Sequence, residues 1–300
     1  MSYRCQRTGK RDGLTVNADF AAVEGLNLNS IAYRLYVRGP AQPAFAFSGK
    51  AIGPERSEFR DATGIFFDQN GQLMLGHRSG VTLFKPDGSI AQTVSAVDAT
   101  AFFVDEQDRV VVARNGTLVA ARADAIAFSG PGSDGQLRAV DEIPAALPNA
   151  RGERIIANPK QRNVIRALPN GKFVSVFATG QVTRLAQNWL GDVAMLDRGT
   201  KSINLADRDG KALSKIPAKG TGYEMDEPTD VAFDALGHLY VLDRGRSAVF
   251  VFGPKNKLIS TLTVPNNSPG ALNRAEALGV DAAGRLYVFD DRSRRIQVYQ

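Results

Sequence analysis

The 300-residue sequence is poor in the side chains that most redox and metal chemistry uses: it has two histidines, one cysteine and one tryptophan. A disulfide takes two cysteines, so Cys5 cannot form one within the chain. Neither a cysteine-rich zinc site nor a three-histidine metal site can be assembled. No apolar run approaches the roughly 20 residues that a membrane helix needs. A Gly-rich phosphate loop between strand and helix is missing, and so is a GxSxG nucleophile elbow. What remains is ordinary globular usage, 43% hydrophobic and 23% charged, which excludes a disordered chain, a collagen and a coiled coil. The formal charge is +6, and arginine outnumbers lysine 26 to 11.

The first 42 residues differ from the rest and are expected to form a segment of their own, or the end of a preceding domain. Arg4, Arg7, Lys10 and Arg11 form a basic cluster, followed by strand-like alternation at 14–16 and 31–37. There is no apolar h-region, so the sequence as it stands carries no secretory signal. A native Met1 implies a cytoplasmic protein; a chain cut from a longer one allows an extracytoplasmic location.

From residue 43 a repeat dominates. Residues 190–199 (LGDVAMLDRG) align without gaps on 236–245 (LGHLYVLDRG), and 283–292 (AGRLYVFDDR) continue the series. Fainter copies lie at 70–79, 107–116 and 152–158. The equivalent last positions are His77, Arg114, Asn158, Asp197, Asp243 and Asp290, spaced by 37, 44, 39, 46 and 47 residues. Six copies at this period match the blades of a propeller. Each copy reads as strands. A short apolar strand (64–67, 101–104, 231–233, 278–280) ends at Asp or Asn three residues before Gly or Asp, as in Asp68/Gly71, Asp105/Asp108, Asn188/Gly191, Asp234/Gly237 and Asp281/Gly284. An Asx side chain bonds the backbone two residues on, and Gly accepts positive φ, so this is a hairpin turn. A second strand follows, then a polar turn, an alternating third strand such as 248–252, another Gly turn and a fourth strand such as 258–262. The expected fold is all-β: a six-bladed β-propeller of four-stranded antiparallel blades over 43–300. The last copy stops after its third strand, and 44–47 (AFAF) is the expected fourth, closing the ring from the N-terminal side.

The pattern Pro-x-x-Val-Ala-x-Asp-x-x-Gly-x-Leu-Tyr-Val-x-Asp, followed by Val/Ile-x-Val-Phe/Tyr, resembles the NHL repeat, best over 228–252 and 279–299. The resemblance implies a propeller that binds protein or RNA. Related six-bladed propellers include lactonase-type hydrolases and antibiotic-opening lyases. A lyase of that kind implies several axial histidines. Here His77 and His238 fall at opposite ends of their strands and are expected as partly exposed turn or strand residues. A lactonase implies a cation on the axis held by carboxylate and amide oxygens. Asn149, Asn158, Asp226, Glu227, Asp230 and Asn273 are the available donors, and they match no family motif. The recurring Asp197, Asp243 and Asp290 belong to blade construction, accepting backbone N–H groups in the turn while the following Arg bridges to a neighbour.

The loops before each first strand and after each second strand share one face, here called the top. They collect Arg60, Arg78, Arg114, Arg162, Arg184, Arg198, Arg244, Arg274 and Arg292, with Arg246, Lys160 and Lys201 nearby. Guanidinium forks suit carboxylate or phosphate, and Asp197, Asp226, Glu227, Asp243, Asp290 and Asp291 offset about half of the charge. The expected function is a non-catalytic scaffold whose top face recognises a protein or peptide, acidic in character, with no cofactor and no bound metal. A lactonase-like hydrolase or lyase is the alternative, and RNA binding by the basic face the second. Phe66, Phe103, Phe233, Tyr240, Phe250 and Phe252 occupy strand positions expected in the core. Only Tyr223 and Trp189 are loop-adjacent, Trp189 on the opposite face, so protein binding ranks above RNA stacking. The oligomeric state is open.

Overall fold

The computed structural model describes residues 4–11, 14–21, 47–52, 59–68, 71–105, 107, 109–120, 123–264, 268 and 270–299. They fall into two compact units, Met1–Pro43 and Ala44–Gln300. In the first, Arg4–Arg11 pairs antiparallel with Leu14–Ala21. The expected strand at 31–37 lies outside the described residues.

The second unit holds six four-stranded antiparallel sheets, the blades of a propeller. Blade 1 runs Gly64–Phe67, Leu73–His77, Gly80–Phe84, Ile90–Ser95; blade 2 runs Ala101–Val104, Val110–Arg114, Thr117–Ala120, Ile126–Ala127. Blade 3 runs Ala146–Pro148, Arg154–Asn158, Asn163–Ala167, Phe173–Thr179; blade 4 runs Val182–Gln187, Val193–Asp197, Ser202–Ala206, Ala212–Ile216. Blade 5 runs Pro228–Phe233, Leu239–Asp243, Ala248–Phe252, Leu258–Thr263. Blade 6 takes Ala275–Val280, Leu286–Asp290 and Arg295–Tyr299 from the end of the chain, and its fourth strand is Phe47–Ile52. The expected closing strand at 44–47 is therefore shifted: only Phe47 belongs to the observed one, and 44–46 lie outside the described residues. Two short hairpins that the repeat does not announce, Ser129–Pro131/Leu137–Ala139 and Lys219–Gly220/Tyr223–Glu224, sit between blades 2 and 3 and between blades 4 and 5.

Side-chain chemistry explains why the sheets stack face to face. Second strands such as Val193–Asp197, Leu239–Asp243 and Leu286–Asp290 are buried at every position, whereas the outer strand Ile90–Ser95 is mostly exposed. A strand covered on both faces has no polar alternation, which is why residues such as LYVLD read as continuous apolar runs. The core is six clusters, one between each pair of neighbouring blades. Met74, Val81, Phe102 and Val112 join blades 1 and 2, and Phe103, Val111, Ile156 and Ile165 join 2 and 3. Ile155, Val164, Val182 and Met195 join 3 and 4, and Leu196, Ile203, Val231 and Val241 join 4 and 5. Tyr240, Val251, Leu278 and Val288 join 5 and 6, and Phe289, Ile296, Ile65 and Leu75 join 6 and 1. Among the described residues no helix is long and apolar enough to cross a membrane.

Candidate functional site

Asx chemistry ties all six blades at the bottom and blades 4, 5 and 6 at the top. At the bottom, between first and second strands, Asp105 Oδ1 accepts the N–H groups of Gln107 and Arg109 at 3.0 and 2.9 Å. Asn188, Asp234 and Asp281 accept the equivalent pairs. Asn149 does the same for Arg151 and Glu153, a turn the degenerate third copy concealed. At the top, the recurring aspartates are buried acceptors. Asp243, fully buried, takes N–H groups from Asp226 (2.7 Å), Glu227 (3.0 Å) and Arg246 (2.9 Å). Asp197 takes those of Gln181 and Thr200, and Asp290 those of Arg274 and Ser293. Each clamps the loop entering the blade to the turn after its second strand.

These clamped loops surround a mouth of about 530 Å³ on the propeller axis, with walls from all six blades. Its charged lining is Asp61, Arg78, Asp98, Glu142, Arg184, Arg198, Arg244 and Glu276. Below it, a cavity of about 400 Å³ follows the innermost strands. Arg184 and Asp230 meet where the two join. Arg184 lies within the first strand of blade 4, not in a loop as expected, and its Nε is 3.8 Å from Asp230 Oδ1. Asp230 also accepts the N–H groups of Val231 (2.9 Å) and, across the blade boundary, Leu278 (2.9 Å). Burial pushes its carboxyl up to about 6, against the pull of Arg184 and the two N–H groups.

The structure divides the nine arginines into two sets. Five are paired. Arg78 meets Asp98 (3.1 Å) and Asp61 (3.8 Å). Arg184 meets Asp230, and Arg198 reaches Glu227 of the next blade at 4.0 Å. Arg244 forks onto Glu227, with Nε–Oε2 at 3.0 Å, and reaches Glu276 of blade 6 at 3.4 Å. Arg274 meets Asp291 and Glu276 at 3.4 and 3.9 Å. The Arg244 hydrogen bond holds the Glu227 carboxyl below the usual range, while burial, and then Asp291, push Glu276 up. The other four, Arg60, Arg114, Arg162 and Arg292, are exposed and make no ion pair among the described residues. They stand on blades 1, 2, 3 and 6, a continuous arc of the rim. Arg162 caps a single 3₁₀ turn with φ of 55°. Lys160 and Lys201 pair with Asp141 and Asp226, and Arg246 with Glu224.

Several expectations change. His77 is not partly exposed: it is 1% exposed, packs its ring 5.2 Å from that of Phe59 and lies 3.0 Å from Thr82 Oγ1. His238 stands in the bottom turn of blade 5 against Asp234 at 2.8 Å. Tyr223 packs on Phe252 and Phe250 at 4.9 and 6.0 Å between ring centroids and is half-buried. Trp189, 75% exposed, stands in the bottom turn of blade 4. The possible cation donors do not converge. Asn149 lies in the bottom turn of blade 3 and Asn158 at the top end of its second strand, Asp226 and Glu227 are in ion pairs, and Asp230 is held by backbone N–H groups. Among the described residues no three His, Cys, Asp or Glu side chains come together as a metal would require.

The chain is thus an all-β, six-bladed propeller with a polar axial mouth. Residues 225–252, which form the entry loop and first three strands of blade 5, match the NHL repeat family. Solved structures share the fold. A streptogramin B lyase superimposes with a TM-score of 0.61 at 8% identity, covering 85% of this chain and 97% of that one. A gluconolactonase from Xanthomonas campestris gives 0.60 at 18%, covering 79% and 85%. A catalytically inactive virginiamycin B lyase from Staphylococcus aureus with quinupristin gives 0.55 at 10%, covering 85% of each chain. At these identities the likeness is one of fold. No curated protein sequence matches.

Proposed function

We propose that the propeller is a binding module whose top face receives an acidic segment of a protein or peptide. The observation that carries this reading is the arc of Arg60, Arg114, Arg162 and Arg292, exposed and without ion pairs among the described residues beside a mouth whose own charges are largely balanced. Unengaged guanidinium forks present bidentate donors to carboxylates. The neutral mouth next to them takes up the remainder of the segment. The lyases and the lactonase with this fold make ring enzymes the alternative; among the described residues no three His, Cys, Asp or Glu side chains gather as a metal would require.

The test uses immobilised Glu/Asp-rich peptides and salt-dependent binding. Arg114→Glu with Arg162→Glu is expected to weaken binding by about tenfold or more at low salt, with thermal stability unchanged. Undiminished binding removes the arc from the interface. Turnover of a lactone panel with added Ca²⁺ overturns the module reading, and salt-dependent binding to oligonucleotides in preference to peptides moves it to RNA.

A further inference from the structure

We propose that the opposite face, at the bottom of blades 4 and 5, docks on an anionic lipid bilayer. The turn of blade 4 places Trp189 and Leu190 at its apex, 75% and 54% exposed. These side chains are not on a loose loop. Asn188 Oδ1 accepts the N–H groups of Leu190 and Asp192 at 3.0 and 2.9 Å, and Asn188 Nδ2 donates to Asp192 at 3.0 Å. In the neighbouring blade, Leu236 occupies the position equivalent to Leu190 and is 43% exposed. At this position the other four copies carry Asn70, Gln107, Arg151 and Ala283. Two adjacent blades therefore hold leucines in water where the repeat elsewhere uses polar or small residues.

The same sector is basic. Arg208 and Lys211 stand in the turn between the third and fourth strands of blade 4, and Lys255 and Lys257 in that of blade 5. The pieces are contiguous. A Cβ on Gly191 would lie 3.1 Å from that of Arg208, and Asn256 donates to Ser214 on the outer strand of blade 4 at 2.5 Å. Of the nearby acids, one is paired with an arginine and Asp192, Asp207 and Asp234 are hydrogen-bonded in their turns. Asp207 accepts two turn N–H groups, Asp209 pairs with Arg151 at 2.5 Å, and Asp234 meets His238. Among the described residues, Arg208, Lys211, Lys255 and Lys257 make no ion pair. Trp at headgroup depth, leucines beside it and a flank of four cations without ion pairs among the described residues form the pattern that partitions into an anionic interface. The apolar groups project from turn apices, a convex presentation that favours a bilayer over a peptide, which is bound in a concave groove.

Trp189 is the only tryptophan, so its emission reports directly on the patch. With phosphatidylcholine vesicles containing about a third phosphatidylglycerol, its emission is expected to shift to the blue and the protein to co-sediment, both reversed at about 0.5 M salt. Pure phosphatidylcholine should give neither. Lys255→Gln with Lys257→Gln should weaken partitioning about thirtyfold, and Leu190→Ser with Leu236→Ser should abolish the blue shift with far-UV circular dichroism unchanged. An unshifted emission with anionic vesicles at low salt overturns the proposal. So does a blue shift that grows with protein concentration in the absence of lipid, which would make the patch a contact between copies of this chain.

Discussion

Asp230 is the residue whose burial has the clearest energetic signature. Its carboxyl is 5% exposed, accepts two backbone N–H groups and faces Arg184, yet desolvation wins and pushes it up to about 6. In the unfolded chain it titrates near the ordinary carboxyl value of 3.8. The folded state therefore binds this proton more tightly than the unfolded state, and stability from this group rises as pH falls through 6. Above pH 6 the buried charge is a fixed cost. Between pH 8 and pH 5 the wild type is expected to gain about 1 kcal/mol relative to Asp230→Asn, which has no such titration. Urea unfolding of both proteins at the two pH values measures the difference. A gap that stays constant with pH would show that the carboxylate is solvated or fully compensated by Arg184.

At the scale of elements, the turns fix the blades. Asn115 and Gly116, with φ of 47° and 70°, make the tight turn between the second and third strands of blade 2. A Cβ on Gly116 would lie 1.9 Å from the Val140 carbonyl oxygen, which is backbone and cannot step aside. Gly237, with φ of 81°, has open space around it. Gly237→Ala thus bears only the conformational cost, about 1 kcal/mol, while Gly116→Ala adds a clash and is expected to cost about 3 kcal/mol; equal unfolding midpoints would refute the clash. Such turns were the legible part of the sequence. Asx followed three residues on by Gly, or in one copy Asp, placed five bottom turns and the strands 64–67, 101–104 and 248–252 because each signal is local. Asn149 was missed since only its offset to Gly152, without the Leu-Tyr-Val strand, survives in that copy. The arginines were legible as a set but not as two sets, because Arg198–Glu227 and Arg244–Glu276 cross blade boundaries and depend on which loops the ring brings together. His77, expected to be partly exposed, is buried for a related reason: Phe59, which covers it, lies outside the repeat.

For the whole molecule the question is what holds a ring of six mutually packed sheets shut. Five blades are continuous in sequence; the sixth combines Phe47–Ile52 with three strands from the far end of the chain, pairing Ala51 with Gln297 and Ile52 with Ile296. Without that strand, Arg295–Tyr299 would be an open edge with unpaired backbone groups. Ile52, 6% exposed, also packs into the cluster of Phe59, Phe84, Phe289 and Ile296 that joins blades 6 and 1. Its loss therefore weakens a blade and a blade interface together. Ile52→Ala is expected to cost about 2–4 kcal/mol by removing buried methylene groups, which for a domain of this size lowers the unfolding midpoint by several degrees. Deleting residues 47–52 should lower it further, since the hydrogen-bonded ladder goes as well as the side chain. The two variants separate the contributions. If the deletion costs no more than Ile52→Ala, the side chain closes the interface and the strand pairing adds nothing; if neither moves the thermal midpoint, the ring is held by the other five interfaces and the N-terminal strand is dispensable.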